Sequence, residues 1–163
     1  LGKYETEDQV AAAQYFGKLP YIDEDRMAIW GWSYGGFMAL NCLTYGNETF
    51  KAGISIAPVT DWRLYNTAYT ERFMSTPQEN DLGYEQSDLI EKAHLLKGKL
   101  LLCHGTADDN VHFQHAMLYC DALVEAGIQF EMQIYPNKNH SILGAKTRYH
   151  LYTRFNTFLK NNL

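Results

Sequence analysis

The residues most suited to chemistry in this chain lie in a short glycine-rich motif. Gly31-Trp32-Ser33-Tyr34-Gly35 fits the pattern Gly-x-Ser-x-Gly, with an apolar run before it and a helical pattern after it. In that context the pattern is typical of a nucleophile elbow, a sharp strand-to-helix turn that presents a serine hydroxyl at the carboxyl end of a sheet. We therefore predict Ser33 as a nucleophile, with the backbone N–H of Tyr34 as an oxyanion donor beside the helix N-terminus.

The glycines around Ser33 are expected to serve this turn. Gly31 and Gly35 are interpreted as positions where a Cβ atom would collide across the turn, and Gly36 as one that lets the following helix pack closely. On this motif alone, a glycine-rich turn with an incidental serine remains the alternative.

Two later loops supply a candidate base and acid, which a serine needs at neutral pH. One loop contains Asp108 and Asp109, and a later one ends at His140. Both follow apolar runs, and in this type of fold the acid and then the base follow the serine on loops after later strands. We predict His140 as the base, with either Asp108 or Asp109 orienting its imidazole.

The remaining histidines are interpreted differently. His104 is expected to brace the acid loop, and His150, inside a helical pattern, to be structural. His94 lies in an irregular region with no strand before it. His112 and His115 lie near the two aspartates, but they show no recognised metal-ligand spacing, so neither a metal site nor a cofactor is predicted.

Alternating strand and helix patterns position these candidates. Strands are predicted over residues 26–32, 51–57, 99–104 and 130–135, and helices over 6–17, 37–45, 113–126 and 147–160. Such alternation predicts a three-layer αβα fold, a parallel sheet with helices on both faces, in one domain over residues 1–163. The first strand is expected to be buried, and residues 58–97 to form a long irregular functional insertion.

Composition excludes several other classes of protein. The net charge of −5 argues against a nucleic-acid surface, and the 46% of apolar residues argues against disorder. No stretch reaches the roughly 18 to 20 apolar residues that a membrane-spanning helix needs. Cys42, Cys103 and Cys120 lack CxxC spacing and are interpreted as three buried free thiols.

Four motifs together resemble the dipeptidyl peptidase IV branch of the prolyl oligopeptidase family. They are GWSYGG at 31–36, APVTDW at 57–62, YTERF at 69–73 and HGTADDNVHF at 104–113. The resemblance implies an α/β-hydrolase domain of a serine peptidase that releases N-terminal dipeptides with proline or alanine second. An acylaminoacyl peptidase or esterase of the same fold, and a catalytically inactive interaction scaffold, are the alternatives.

The resemblance also implies the roles of single residues. It places the nucleophile on Ser33, the acid on Asp108, the base on His140 and one half of the oxyanion hole on the Tyr34 amide. It matches Asn110 to a residue that binds the carbonyl of the substrate's first residue.

The residues matched to the family's proline pocket are mostly aromatic. They are Tyr34, Val59, Trp62, Tyr65, Tyr69 and Val111. Flat aromatic faces with valine between them suit a compact, apolar proline ring. The alternative is that Trp62, Tyr65 and Tyr69 are core, because their spacing is also helical. Glu71 and Arg72 are interpreted as a structural ion pair.

The resemblance further implies a longer parent protein. Its catalytic domain would begin before Leu1, so that the sheet here would be truncated at its N-terminal strands. An upstream tyrosine that completes the oxyanion hole, and a β-propeller that grips the substrate's amine, would lie outside this chain. We therefore expect residues 1–163 alone to be weak or inactive, to make no membrane contact, and to form homo-oligomers through the open edge of strand 26–32. The sequence does not determine the location of the parent protein; the family resemblance is compatible with the periplasm or the extracellular space.

Overall fold

A four-stranded parallel sheet forms the centre of the computed structural model, which describes residues 1–46 and 48–163. The strands, in their spatial order, are β1 (Ala28–Trp32), β2 (Ala52–Ile56), β3 (Lys99–Gly105) and β4 (Glu131–Tyr135). The α-helices are α1 (Lys3–Gly17), α2 (Tyr34–Tyr45), α3 (Thr67–Met74), α4 (Asp81–Ser87), α5 (Gln114–Glu125) and α6 (Ala145–Asn162). The predicted parallel sheet is confirmed.

Helices cover both faces of the sheet because side chains alternate along each strand. Gly53 and Ser55 of β2 face α2: a Cβ at Gly53 would lie 2.6 Å from Leu43, and the Ser55 hydroxyl donates to the Gly36 carbonyl at 2.9 Å. The alternate residues of β2 pack with α6 instead, in a second apolar cluster that includes Ile54. Apolar packing on the α2 face and on the α6 face of the sheet therefore gives the three layers that the sequence predicted.

Parallel strands bring the carboxyl ends of β1 to β4 to one edge of the sheet. Backbone hydrogen bonds continue past the strands there, from Ser33 N–H to the Ile56 carbonyl at 2.8 Å and from Ala57 N–H to the Cys103 carbonyl at 2.8 Å. The loops after β1, β3 and β4, which carry the predicted nucleophile, acid and base, therefore start from a common edge.

The first two helices begin earlier than predicted, although both end where predicted. Helix α1 begins at Lys3 rather than at residue 6: Thr6 is buried inside the helix, and the Glu5 carboxylate accepts the Gly2 N–H at 3.0 Å. Helix α2 begins at Tyr34 rather than at Phe37, so Ser33 occupies its N-cap position. The serine is therefore directly joined to the helix, with no intervening turn.

The prediction that the first strand is buried is wrong. Trp30, at its centre, is 58% exposed, and Arg26 lies in a short 3-10 turn rather than in the strand. The physical reason is position, since β1 is an edge strand with a neighbour on one side only. The aromatic side chain of Phe155 on α6 reaches Trp30, with ring centroids 6.2 Å apart, but does not cover it.

Residues 58–97 are more regular than predicted. They contain α3, α4 and two 3-10 turns, Trp62–Leu64 and Ala93–Leu95. The Asn66 side chain caps α3 by accepting the Tyr69 N–H at 2.9 Å. Helices this short span about two turns, so their apolar periodicity is too brief to recognise.

Two of the three cysteines are buried. Cys42 and Cys103 are buried free thiols as predicted, but Cys120 is half-buried, and its sulfur lies 3.7 Å from that of Met132. Among the described helices, none combines the length and apolar character needed to cross a bilayer.

Candidate active site

The tight turn at Ser33 requires a glycine at position 31. Ser33 has φ 59° and ψ −116°, a conformation that residues with a side chain rarely adopt. A Cβ atom at Gly31 would lie 2.1 Å from the Gly35 carbonyl oxygen, so any side chain there would force the turn open. The tightness of the turn therefore depends on Gly31.

The other two glycines of the motif differ from each other. A Cβ atom at Gly35 would meet nothing within 4 Å, so the predicted collision at Gly35 is wrong. A Cβ at Gly36 would lie 2.8 Å from the Ile56 carbonyl oxygen, which supports its predicted role in close helix packing. The collision comes from the strand side because Gly31 faces the first turn of α2, whereas Gly35 faces outward.

The first turn of α2 can stabilise a negative charge next to Ser33. Tyr34 is the first residue of the helix, and N–H groups at that position have no acceptor within the helix. The helix dipole adds positive potential at the same end. This is the environment that an oxyanion donor requires.

The Asp108 carboxylate is held by four donors. One oxygen accepts the N–H groups of Asn110 and Val111, both at 3.0 Å. The other lies 2.8 Å from His140 Nδ1 and 3.2 Å from His104 Nε2. Burial alone would raise the pKa of Asp108, but the hydrogen bonds from His104, His140 and Asn110 outweigh it and hold that pKa well below its usual range.

This geometry distinguishes the two adjacent aspartates. Asp108 is buried against His140, whereas Asp109 is exposed. Because an ionised carboxylate only accepts, His140 donates from Nδ1, and its Nε2 is left with the lone pair that a general base needs. Asp108 and His140 are thus in the relation that an acid and base of a serine hydrolase require.

His104 braces the acid loop, as predicted. Its Nε2 lies 2.9 Å from the Val111 carbonyl oxygen as well as beside Asp108. Both partners are acceptors, so Nε2 carries the proton and its N–H is shared between them. The side chain is fully buried, which leaves no water to replace either bond.

The base loop is tied to the serine turn through Trp32. The Trp32 indole N–H donates to the His140 carbonyl oxygen at 2.8 Å. The Arg148 guanidinium lies over the Trp32 ring, 4.9 Å from the ring centroid. Arg148 also donates a hydrogen bond to the Ser141 carbonyl oxygen at 2.6 Å. Because Trp32 immediately precedes Ser33, the chain holding the base and the chain holding the nucleophile are fastened side by side.

The acid and base loops also contact each other directly. A Cβ at Gly105 would lie 2.2 Å from the Lys138 carbonyl oxygen, which accepts the Ala107 N–H at 3.0 Å. The Thr106 hydroxyl accepts the Asn137 N–H at 2.9 Å. Gly105 was not among the predicted site residues, although a glycine in a strand is a signal of close backbone approach.

Backbone strain is concentrated at the same edge of the sheet. Besides Ser33, three non-glycine residues there have positive φ: Ala57 at 45°, Asn137 at 56° and Ile142 at 46°. A β-branched residue such as Ile142 adopts this region only when its surroundings impose it, and Ile142 is fully buried. Strained backbone of this kind is characteristic of functional sites.

The predicted pocket residues form one aromatic cluster around Trp62. Its ring stacks on Tyr69 with centroids 5.7 Å apart and an angle of 15° between the planes. Tyr65 meets it edge-on with centroids 5.9 Å apart, and the Tyr34 ring is tilted against it at 6.0 Å. Trp62 is 1% exposed, so it is also part of the core.

The pocket and core interpretations therefore apply to different members. Val59, Trp62 and Val111 are buried in the core cluster, whereas Tyr34, Tyr65 and Tyr69 are half-buried against it. The three tyrosines are the members whose side chains a bound ligand can reach.

One hydrogen bond joins the aromatic cluster to the acid loop. The Tyr65 hydroxyl donates to the Asn110 side-chain oxygen at 2.8 Å. Asn110 in turn gives its backbone N–H to Asp108, so the cluster and the carboxylate share a residue. The predicted ion pair of Glu71 with Arg72 is not formed. Neither residue belongs to an ion pair of the described residues, and the Arg72 guanidinium lies over the Phe73 ring instead.

A residue that the sequence analysis missed contacts this cluster from α1. Glu5 accepts a hydrogen bond of 2.5 Å from the Tyr34 hydroxyl. No local pattern could have indicated it, because the contact depends on how α1 packs beside α2.

His115 and His150 form their hydrogen bonds outside the acid–base pair. His115 is buried and accepts the Thr60 N–H at 3.1 Å, and burial lowers its pKa to about 4. His150 contacts the Tyr135 hydroxyl at 3.0 Å, which fits its predicted structural role. Within residues 1–46 and 48–163, no three His, Cys, Asp or Glu side chains are grouped to hold a metal ion.

The sequence of the whole chain matches one protein family. The model of the prolyl oligopeptidase family matches residues 1–163. The chain belongs to this family. The predicted resemblance is therefore confirmed, and the hydrogen-bonded pair and aromatic cluster described above are features of a family member.

Relatives within the family carry dipeptidyl peptidase names. A protein of Aspergillus oryzae named "Probable dipeptidyl-aminopeptidase B" is 46% identical over 164 residues, which are 99% of this chain and 18% of that protein. The "Dipeptidyl peptidase 4" of Felis catus is 44% identical over 163 residues, 98% of this chain and 21% of that protein. The chain thus spans about a fifth of the length of these family members.

Solved structures of relatives share the fold. The crystal structure of Porphyromonas gingivalis dipeptidyl peptidase 4 matches all of this chain (100%) and 23% of its own, with a TM-score of 0.97 and 58% identity. A putative dipeptidyl aminopeptidase IV from Bacteroides ovatus matches with a TM-score of 0.96 and 36% identity. The predicted α/β-hydrolase fold of the family is confirmed.

Proposed function

We propose that this chain carries the catalytic residues of a serine peptidase that releases N-terminal dipeptides with proline or alanine in second place. The observation that carries the proposal is the 2.8 Å contact between Asp108 and His140, on a loop that Trp32 fastens to the Ser33 turn. The names of the relatives support the same activity. Because the chain spans about a fifth of those relatives, the activity is proposed for the whole protein.

The first half of the proposed reaction forms an acyl-enzyme. His140 Nε2 takes the proton from the Ser33 hydroxyl as its oxygen attacks the carbonyl carbon of the substrate's second residue. The carbonyl oxygen becomes an oxyanion, which accepts the Tyr34 N–H. His140 then gives the proton to the leaving amine, the C–N bond breaks, and Asp108 stabilises the imidazolium throughout.

The second half of the reaction releases the dipeptide. A water molecule attacks the acyl carbon while His140 again accepts a proton, and the Ser33 oxygen leaves with that proton. No cofactor is required in either half. The same three side chains and the same amide of Tyr34 serve both steps.

The aromatic cluster supplies the proposed specificity. A proline ring is flat, rigid and apolar, and the half-buried faces of Tyr34, Tyr65 and Tyr69 around Trp62 offer it contact on several sides. Val59 and Val111 are proposed to close the pocket. Asn110, which the Tyr65 hydroxyl holds, is proposed to bind the carbonyl of the substrate's first residue.

A fluorophosphonate probe tests the nucleophile in the full-length protein. We expect labelling at Ser33 and its loss in Ser33→Ala. Ser75→Ala is the matched control, because Ser75 has the same φ of 59° but belongs to none of the contacts described for the site. A wild-type protein that does not label would be an inactive scaffold, which is contrary to the proposal.

Substrate choice tests the class of peptidase. We expect release of p-nitroaniline from Gly-Pro-p-nitroanilide and little from the same substrate with an acetylated amino terminus. Preference for the acetylated substrate would instead identify an acylaminoacyl peptidase, and preference for simple esters an esterase.

The partners of the chain are also a proposal. We propose that residues 1–163 form part of one α/β-hydrolase domain that works with a β-propeller binding the substrate's amine, as family resemblance implies. We further propose homo-oligomers formed through the edge strand β1, where Trp30 is 58% exposed. A monodisperse monomer of residues 1–163 in solution scattering would contradict the oligomer. Trp30→Lys should reduce association, whereas Tyr21→Lys, at a still more exposed aromatic off the strand, should not.

A further inference from the structure

We infer that Glu5 is a positioning residue that fixes the Tyr34 ring in the pocket and thereby sets the preference for proline at the second position. This inference rests on the proposed function. Its basis is the 2.5 Å hydrogen bond from the Tyr34 hydroxyl to Glu5 Oε1.

Tyr34 has two tasks that depend on its placement. Its backbone N–H follows Ser33 at the start of α2, and its ring lies against Phe37 at 5.7 Å and Trp62 at 6.0 Å between centroids. The backbone is fixed by the helix, but the ring can rotate about its side-chain torsions. A bond that holds the hydroxyl oxygen restricts the first of these torsions, so Glu5 fixes where the ring lies against Trp62 and Phe37.

The Glu5 carboxylate is itself anchored. Its second oxygen accepts the Gly2 N–H at 3.0 Å, which caps the first turn of α1. Gly2 is buried against Phe37, since a Cβ atom there would lie 3.0 Å from the Phe37 ring. The start of α1 is therefore packed on Phe37, and from this fixed base Glu5 reaches the Tyr34 hydroxyl.

The ionisation of the pair favours a strong bond. Burial, the hydrogen bond to Glu5 and its charge all raise the pKa of Tyr34, so the phenol stays protonated and donates. Burial alone would raise the pKa of Glu5, but the bonds from Tyr34 and the backbone lower it, so the carboxylate stays charged. Hydrogen bonds to an ionised acceptor are about twice as strong as neutral ones.

Steady-state kinetics of the full-length protein on Gly-Pro- and Gly-Ala-p-nitroanilide test this role. For Glu5→Ala we expect kcat/KM on the proline substrate to fall about tenfold, mainly through KM, as for loss of one charge-assisted bond. The alanine substrate should lose less, since its small side chain makes fewer contacts with the ring. Glu5→Gln keeps an acceptor and should restore most of the preference, and the exposed Glu7→Ala is the matched control on the same helix.

A double-mutant cycle separates positioning from capping of α1. In the Tyr34→Phe background the hydroxyl is absent, so Glu5→Ala should cause no further loss of proline preference. An equal loss in both backgrounds, or an equal loss on both substrates, would show that Glu5 only caps the helix and would overturn the inference. A wild-type protein that cleaves neither substrate would instead count against the proposed function.

A structural measurement tests the inference independently of activity. In a crystal structure of Glu5→Ala, we expect the Tyr34 ring to have moved away from Trp62. A ring that keeps its place in that variant would overturn the inference, whatever the kinetics.

Discussion

The two halves of the candidate site are held together by different forces. Asp108 accepts four hydrogen bonds, three of which come from the acid loop and the end of β3, while the fourth comes from His140 after β4. The aromatic cluster is held mainly by ring packing around Trp62, with one polar tie from Tyr65 to the acid loop and one from Tyr34 to α1. One half is directional and rigid, and the other is apolar and adaptable.

This difference separates two functions. Hydrogen bonds weaken steeply with small errors in distance and angle, so they suit groups that must transfer a proton. Ring contacts change gradually with distance, so they suit a pocket that accepts related side chains. Changes to the loops should therefore alter kcat and acid stability, and changes to the cluster should alter KM and substrate preference.

The largest expected effect comes from Asp108→Asn. The amide cannot accept all of the donors that the carboxylate accepts, and it favours the wrong tautomer of His140. We expect kcat to fall about 10³- to 10⁴-fold with little change in KM. Asp109→Asn, at the exposed neighbour, is the control and should retain activity. Similar losses in both variants would mean that the assignment of the acid is wrong.

A smaller effect is expected from Tyr69→Ala. This change removes an aromatic ring that stacks on Trp62 and lines the proposed proline pocket. We expect KM for a proline substrate to rise about 10- to 100-fold while kcat changes little, since the lost contact is one of ground-state binding. Phe73→Ala is the matched control, because Phe73 contacts Tyr69 but is more than half exposed. A fall in kcat without a rise in KM would contradict the division between the two halves.

His104 tests the rigid half by a milder change. His104→Leu leaves Asp108 and the Val111 carbonyl without their shared donor, whereas His104→Gln supplies an amide N–H near the same place. We expect kcat to fall about tenfold in the leucine variant, with most of it recovered in the glutamine variant. His150→Leu, at an imidazole outside this network, is the control. Equal rates for the leucine and glutamine variants would show that only volume matters at this position.

The smallest effect concerns stability at mildly acidic pH. His115 has a pKa lowered to about 4 by burial, from an ordinary 6.5. Between these values the unfolded chain binds a proton that the folded chain does not. The free energy of unfolding should therefore fall as pH drops through this range, by at most about 1.4 kcal/mol for each pH unit.

Urea unfolding of His115→Asn at several pH values measures this contribution. Asparagine keeps an acceptor for the Thr60 N–H but does not titrate, so the slope between pH 6.5 and 4 should decrease. A slope that is the same in wild type and His115→Asn would contradict this assignment. Asp108 acts lower on the pH scale: its stabilisation is present above its ordinary pKa of about 4 and is lost as pH falls further, because its folded pKa is depressed.

Several parts of the fold and site were predictable because they depend on local sequence. The order of strands and helices followed from periodicity, and the Ser33 turn followed from Gly31 between an apolar strand and a helix. The errors arose where a neighbour distant in sequence decides the outcome. Trp30 is exposed because β1 is an edge strand, and α1 begins before residue 6 because Gly2 is its N-cap and Glu5 accepts the Gly2 N–H.

By itself, the sequence determined the family, the order of the elements and the residue types that could act as nucleophile, acid and base. All of these can be recognised from short motifs and from their spacing along the chain. Spacing left Asp108 and Asp109 open and the resemblance favoured Asp108, which the tertiary structure places against His140. Only the tertiary structure decided that Trp32 fastens the base loop and that Glu5 holds Tyr34. Each of these bonds joins residues from different elements. Such bonds form only when helices and loops pack on the sheet, and a local sequence pattern does not specify that packing.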